Sequence, residues 1–347
     1  MINVNIIDYR KEFFMKQRVE WIDIAKFLGI FAIYLGHFGE NAGLAYPFVF
    51  TFHVPLFFFI SGCMSNYDSE RNLFRFIWKR FKGILLPFYC FAIVSIIINV
   101  ISNNLALGAI KDLLILVAKG CIRNSFFAAS LWFLSCLFIM EVVFKILKFV
   151  KFRIIILCVS VIFFWISEFL IVSRPTWAYN FDSMLYFFIF YAIGYCVYPY
   201  ICNLFEANTN KKRVGVVLLF IVSLLYMAFL YEGISICYKL SFNRFTNEVV
   251  QIVQPLIGIV FIFTLAKILE GVKLINRIGM DTLYLCGNEY IIKTLLPMVF
   301  SIFGLSIIID NPLKAYIYTF ILIIVNFKII IPIEKNIVGV IAEKIKA

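Results

Sequence analysis

Long apolar stretches, parted by short polar or charged segments, make up most of this chain. A stretch of about 17–25 residues wound as an α-helix matches the hydrocarbon thickness of a bilayer. The pattern predicts about ten transmembrane helices, at approximately 20–38, 46–66, 83–102, 131–147, 153–172, 181–201, 213–231, 248–269, 282–308 and 314–334. Residues 103–130 are mixed and predict an amphipathic segment lying on the surface. Pro297 falls inside the ninth stretch and predicts a broken helix or a re-entrant turn there. No soluble domain, repeat or low-complexity linker interrupts residues 1–347, so the expected architecture is one all-α integral membrane domain.

Basic residues then orient the spans. Alternate segments hold Arg10, Lys11, Lys16 and Arg18; Arg71, Arg75, Lys79, Arg80 and Lys82; Lys145, Lys148, Lys151 and Arg153; Lys211, Lys212 and Arg213; Lys267, Lys273 and Arg277; and Lys335, Lys344 and Lys346. The intervening segments hold only Lys111, Lys119, Arg123, Arg174, Lys239, Arg244 and Lys314. Cytoplasmic loops are the ones enriched in Lys and Arg, which predicts cytoplasmic N and C termini.

Composition agrees with the pattern. The 347 residues are 63% hydrophobic and 15% charged, with mean hydropathy +0.96, whereas soluble domains carry about 25% charged residues. A net charge of +12 would otherwise suggest nucleic acid. Its placement in alternate loops makes membrane orientation the sufficient explanation, so membrane lipid is the expected partner and nucleic acid is not. The segment "MINVNIIDYRKEFFMKQR" is too charged for a cleaved signal peptide. Nine cysteines are scattered without metal-ligand spacing; they read as small buried hydrophobes, with no metal expected.

Ionisable residues inside spans point to chemistry. In "WIDIAKFLGIFAIYLGHFGE" Lys26 and His37 share one helical face about 16 Å apart, and Asp23 lies one turn before Lys26, within pairing reach. The bland alternative makes them interface markers, with Lys26 snorkelling. His53, the second of two histidines, enters the next span near the expected depth of His37, beside Pro55, which predicts a kink with freed carbonyls. A lone membrane histidine also serves as a hydrogen-bonding clamp. In "ERNLFRFIWKRFKGILLP", Arg71, Arg75, Lys79 and Lys82 fall on one face and Phe74, Trp78 and Phe81 on another. That suits an interfacial helix on anionic lipid or a cradle for a phosphate-rich ligand. Glu168, Glu248 and Glu289 are further carboxylates within spans. Gly-rich phosphate loops, G-x-S-x-G elbows and HExxH are absent from the sequence.

"IDIAKFLGIFAIYLGH" followed by "FTFHVPLFFFISG" resembles the membrane acyltransferase family 3, most like its sugar O-acetyltransferase branch of fucose 4-O-acetylase type. The basic residue eleven positions before a histidine matches Lys26 and His37; His53 and Pro55 match the second-span signature. "LWFL", containing Trp132, and the turn "KRFKGILLP" are similar to family signatures. In that turn Arg80 matches the first of two arginines and Gly83 stands at the second. "IGMDTLYLCGNEY" resembles a segment that often ends in histidine, where this chain has Asn288. The resemblance implies transfer of an acetyl group from cytoplasmic acetyl-CoA to a hydroxyl of a cell-surface carbohydrate, in the cell membrane. Under it, His37 is the general base or acyl carrier, with His53, Asp23 and Lys26 in the catalytic set. Arg75, Lys79, Arg80 and Lys82 hold the CoA phosphates, and Trp132, Glu168, Asn288 and Glu289 meet the acceptor. The alternative is a transporter or flippase for a polar or lipid-linked glycan, built from the same features.

Overall fold

The computed structural model of the protein describes residues 18–103, 106–124, 126–150, 152–170, 177–206, 209–237 and 244–337, all helix, turn or connecting coil. In chain order the helices are α1 Glu20–Gly36, α2 Ala45–Tyr67, α3 Leu73–Asn103, α4 Leu107–Ala118, α5 Trp132–Leu147 and α6 Arg153–Leu170. They continue with α7 Phe181–Phe205, α8 Asn210–Cys237, α9 Arg244–Ile268, α10 Lys273–Met280, α11 Thr282–Ile302 and α12 Pro312–Ile337. Lipid offers the backbone no hydrogen-bond partners, and a helix satisfies its own.

Among the described residues, eight helices are long and apolar enough to cross a membrane: α2, α3, α5, α6, α7, α8, α9 and α12. The other two expected spans, α1 and α11, have 17 and 21 residues and dilute their apolar content with Asp23 and Lys26, and with Asn288, Glu289 and Lys293. Those side chains face protein, not lipid. α1 is packed by α2, α9, α10, α11 and α12, and Ile24, Ala25, Ile30 and Tyr34 on it are fully covered. In α6 and α8 only 22% of the apolar stretch is buried, against 61% in α2; α6 and α8 are the lipid-facing rim. α2 and α7 touch backbone to backbone: a β-carbon at Gly62 would overlap the Tyr191 carbonyl, and one at Gly194 the Phe59 carbonyl.

Three local departures shape the site. α2 breaks at Phe52 (φ −138°), because Pro55 has no N–H for the Thr51 carbonyl and the turn before it lets go. α12 widens into a π-helical turn at Asn326–Ile330, which brings the fully buried Asn326 inward. α3 carries a similar turn at Phe81–Leu85, which contains Gly83, and the basic segment runs on into its span.

Two expectations need correction. Pro297 does not break its helix: α11 continues through it to Ile302, since one lost hydrogen bond is tolerated where neighbouring helices support the backbone. Residues 103–130 are not a surface segment throughout. After α4 the chain turns inward and buries Ile122, Phe126 and Ala128, and Ser130 donates to the Cys286 carbonyl of α11 at 2.8 Å. The cysteines also divide: Cys63, Cys121, Cys136 and Cys286 are buried, whereas Cys90 and Cys158 are exposed.

Candidate active site

α1 and α11 run in the same direction, side by side. At the end of α10, just before α11, Gly279 abuts the Asp23 carbonyl of α1 so closely that a β-carbon would overlap it. Further along, the Tyr34 hydroxyl donates to the Leu285 carbonyl at 2.8 Å. At the end of α1, His37 Nδ1 lies 3.0 Å from Glu289 Oε2. Glu289 Oε1 is 2.7 Å from Lys293 Nζ, one turn further along the same helix.

The local fold explains this meeting. α1 tightens as it ends: Phe38 N–H bonds the Leu35 carbonyl, not that of Tyr34. The Tyr34 carbonyl is therefore open to a side chain, and Lys293 Nζ donates to it at 2.9 Å. The same ammonium lies 4.2 Å from the Phe38 ring centre. Glu289 is 4% exposed and His37 19%, so the carboxylate is enclosed while the imidazole keeps an open edge.

A second polar layer lies behind the first. The Asn326 amide donates to the Tyr34 hydroxyl at 3.0 Å. The Asn288 amide donates to Asn326 Oδ1 at 3.3 Å and to Glu334 Oε2 at 2.8 Å. Asn288, fully buried, thus faces α12, while its neighbour Glu289 faces His37.

His53 is arranged differently. It is 2% exposed, and its Nδ1 donates to the Val49 carbonyl at 2.7 Å, across the break in α2. The Phe50 ring stands beside both histidines, 4.7 Å from His53 and 6.3 Å from His37 between ring centres.

The remaining expected residues lie elsewhere. Asp23, 2% exposed, binds Arg18 at 2.5 Å and Lys26 at 3.1 Å, near the opposite end of α1 from His37. Arg75, Lys79 and Lys82 are exposed on the first turns of α3, with Lys82 over the Trp78 ring at 5.0 Å. Arg80 points inward instead, with its Nε 2.6 Å from Glu141 Oε2. Trp132 begins α5 and carries the Arg123 guanidinium over its ring at 4.6 Å. Glu168 lies near the end of α6, and Glu248 is buried on α9. Sequence reasoning thus paired Asp23 with Lys26 but gave no role to Lys293, Tyr34, Asn326 or Glu334. Only the four-residue spacing of Glu289 and Lys293 offered a signal for them.

Among the described residues, two grooves open at the surface lie away from this site. One, of about 540 Å³, is lined by Phe31, Tyr316, Phe320 and aliphatic residues of α12 on the lipid side. The other, of about 400 Å³, lies between the ends of α7, α8 and α9.

What this arrangement offers is an imidazole with a carboxylate 3.0 Å from one nitrogen. A carboxylate at Nδ1 fixes the ring and keeps a proton there, leaving Nε2 as the basic atom. A family model described as an acyltransferase domain matches residues 19–341. No curated protein and no solved structure matches the chain.

Proposed function

From the premise that the chain belongs to this acyltransferase family and is a multi-pass membrane acyltransferase, we propose that it moves an acetyl group from cytoplasmic acetyl-CoA to a hydroxyl of a cell-surface carbohydrate, in the cell membrane. The observation that carries this reading is the His37–Glu289 contact of 3.0 Å at the end of α1. A sugar hydroxyl is a weak nucleophile at neutral pH and needs a base placed against it, a task suited to imidazole. His37 Nε2 takes the hydroxyl proton as the oxygen attacks the thioester carbonyl carbon. The C–O bond forms, the C–S bond breaks, and the proton passes from His37 to the departing thiolate. Glu289 orients the ring and stabilises its charge in transit.

The donor enters from the basic end. Arg75, Lys79 and Lys82 are exposed there and suit the CoA phosphates. Lys26 lies on the face of α1 that leads to His37, about 16 Å further along, so the pantetheine arm follows that face. Arg80, engaged with Glu141, holds the start of α3 in place. Membership of an acyltransferase family favours this over the transporter reading.

The test is transfer of label from radiolabelled acetyl-CoA to a surface-glycan extract, in membranes matched for expression. Wild-type membranes are expected to acetylate the glycan and His37→Ala membranes to match empty ones. Equal transfer by both would overturn the assignment of the base.

A further inference from the structure

We infer that Lys293 is a positioning residue for His37, holding both the last turn of α1 and the charge balance of the buried site; this rests on the reading of His37 as the base. Two observations carry it. Lys293 Nζ bonds the Tyr34 carbonyl at 2.9 Å, so a cation caps the C-terminal end of the helix that delivers His37, where the helix dipole favours it. It also pairs with Glu289 Oε1 at 2.7 Å, while Glu289 Oε2 faces His37.

The second contact sets the charge of the site. Glu289 and Lys293 cancel, so the enclosed cluster is neutral when His37 is neutral, the form that acts as a base. A lone buried carboxylate is costly, and without Lys293 it would be balanced only by a proton on itself or on His37. A protonated His37 is no base. The other ionisable groups around the ring do not replace Lys293. His53 of α2 is spent on Val49 and Glu334 of α12 on Asn288. Tyr34 of α1 is bonded to Leu285; Tyr318 of α12 and Glu40 after α1 supply no positive charge.

The experiment measures acetyl transfer from about pH 5 to about pH 9 for wild type, Lys293→Met, Lys293→Arg, the double variant Glu289→Gln/Lys293→Met, and His37→Ala. Lys293→Met is expected to lose about 10- to 100-fold in rate, as supporting partners of a reactive side chain typically do. The acid side of its profile should move to higher pH by about one to three units. Lys293→Arg should keep the wild-type profile, and the double variant should bring the acid side back, because it removes the unbalanced carboxylate. A role in capping α1 alone predicts no such return. An unshifted Lys293→Met profile, or a double variant with the same profile as Lys293→Met, overturns the inference. Should Lys293→Met not accumulate as folded protein, recovery of folded protein in the double variant supports it and failure to recover overturns it. His37→Ala separates the two readings. If it transfers acetyl like wild type, the base assignment falls. If it is inactive while Lys293→Met keeps the wild-type profile, only the role of Lys293 falls.

Discussion

The chain has two histidines, both beside the Phe50 ring, and their surroundings divide their work. His37 sits where α1 ends, 19% exposed, with a carboxylate at Nδ1. His53 sits just past the break in α2, 2% exposed, with its Nδ1 on the carbonyl of Val49 four residues earlier. A ring set 3.0 Å from a carboxylate on a distant helix is electrostatically supported. A ring bonded to its own helix ties together the two sides of a break in it. The lesson is that a membrane histidine is judged by what its second nitrogen can reach and by what holds the first.

The sharpest way to break this comparison is to remove each ring. His37→Ala is expected to lose about 10²- to 10⁴-fold or more in transfer rate, the usual contribution of a positioned base. Glu289→Gln should cost less, about a hundredfold, with folded protein still obtained because the amide can still meet Lys293. His53→Leu should leave the rate within about tenfold but lower thermal stability by about 0.5–1.5 kcal/mol, the net worth of one hydrogen bond, since the Val49 carbonyl keeps the Phe52 N–H. A loss of rate in His53→Leu as large as that in His37→Ala would show that both rings do chemistry.

The smallest effect concerns another set of enclosed charges, at the basic end. Lys145 Nζ lies 2.7 Å from Asp68 Oδ2 and also bonds the Glu70 carbonyl, and Lys148 Nζ bonds the Ser65 carbonyl at 2.7 Å. Burial pushes the Asp68 carboxyl up, but the Lys145 ammonium and the Glu70 N–H outweigh it and hold it below its ordinary 3.8. A carboxyl so lowered stabilises the fold above its unfolded value and loses that contribution as the pH falls below about 3.8. Asp68→Asn should therefore lower the melting temperature slightly at pH 7 and flatten its decline in acid, read by thermal unfolding in detergent. Unlike the His37 cluster, this one pairs each charge with a fixed partner, so its loss should leave the acetyl-transfer profile in place.

Much of this was legible in the residues. Long apolar stretches need helices in lipid whatever their neighbours, so span existence follows from composition. Asp23 and Lys26 could be paired because contacts three apart on one helix are local. The pairing of His37 with Glu289 was not legible, since 252 residues separate them and only the parallel packing of α1 and α11 joins them. The basic stretch at the start of α3 read as an interfacial helix or a phosphate cradle, yet it divides. Arg80 turns to Glu141 on α5 while Arg75, Lys79 and Lys82 stay exposed, because the inward face of α3 depends on where α5 packs.

By itself, then, the sequence determined a helical membrane protein with charged residues stranded in two spans too polar to face lipid. Hydrophobic transfer and backbone satisfaction act locally, segment by segment, and need no knowledge of the partner. Only the tertiary structure decided which of those charges meet. It chose Lys293 for the open carbonyl of Tyr34, Glu289 for His37 and Asn326 for the Tyr34 hydroxyl. A buried polar group requires a partner, but the pattern along a chain does not say which helix will supply it.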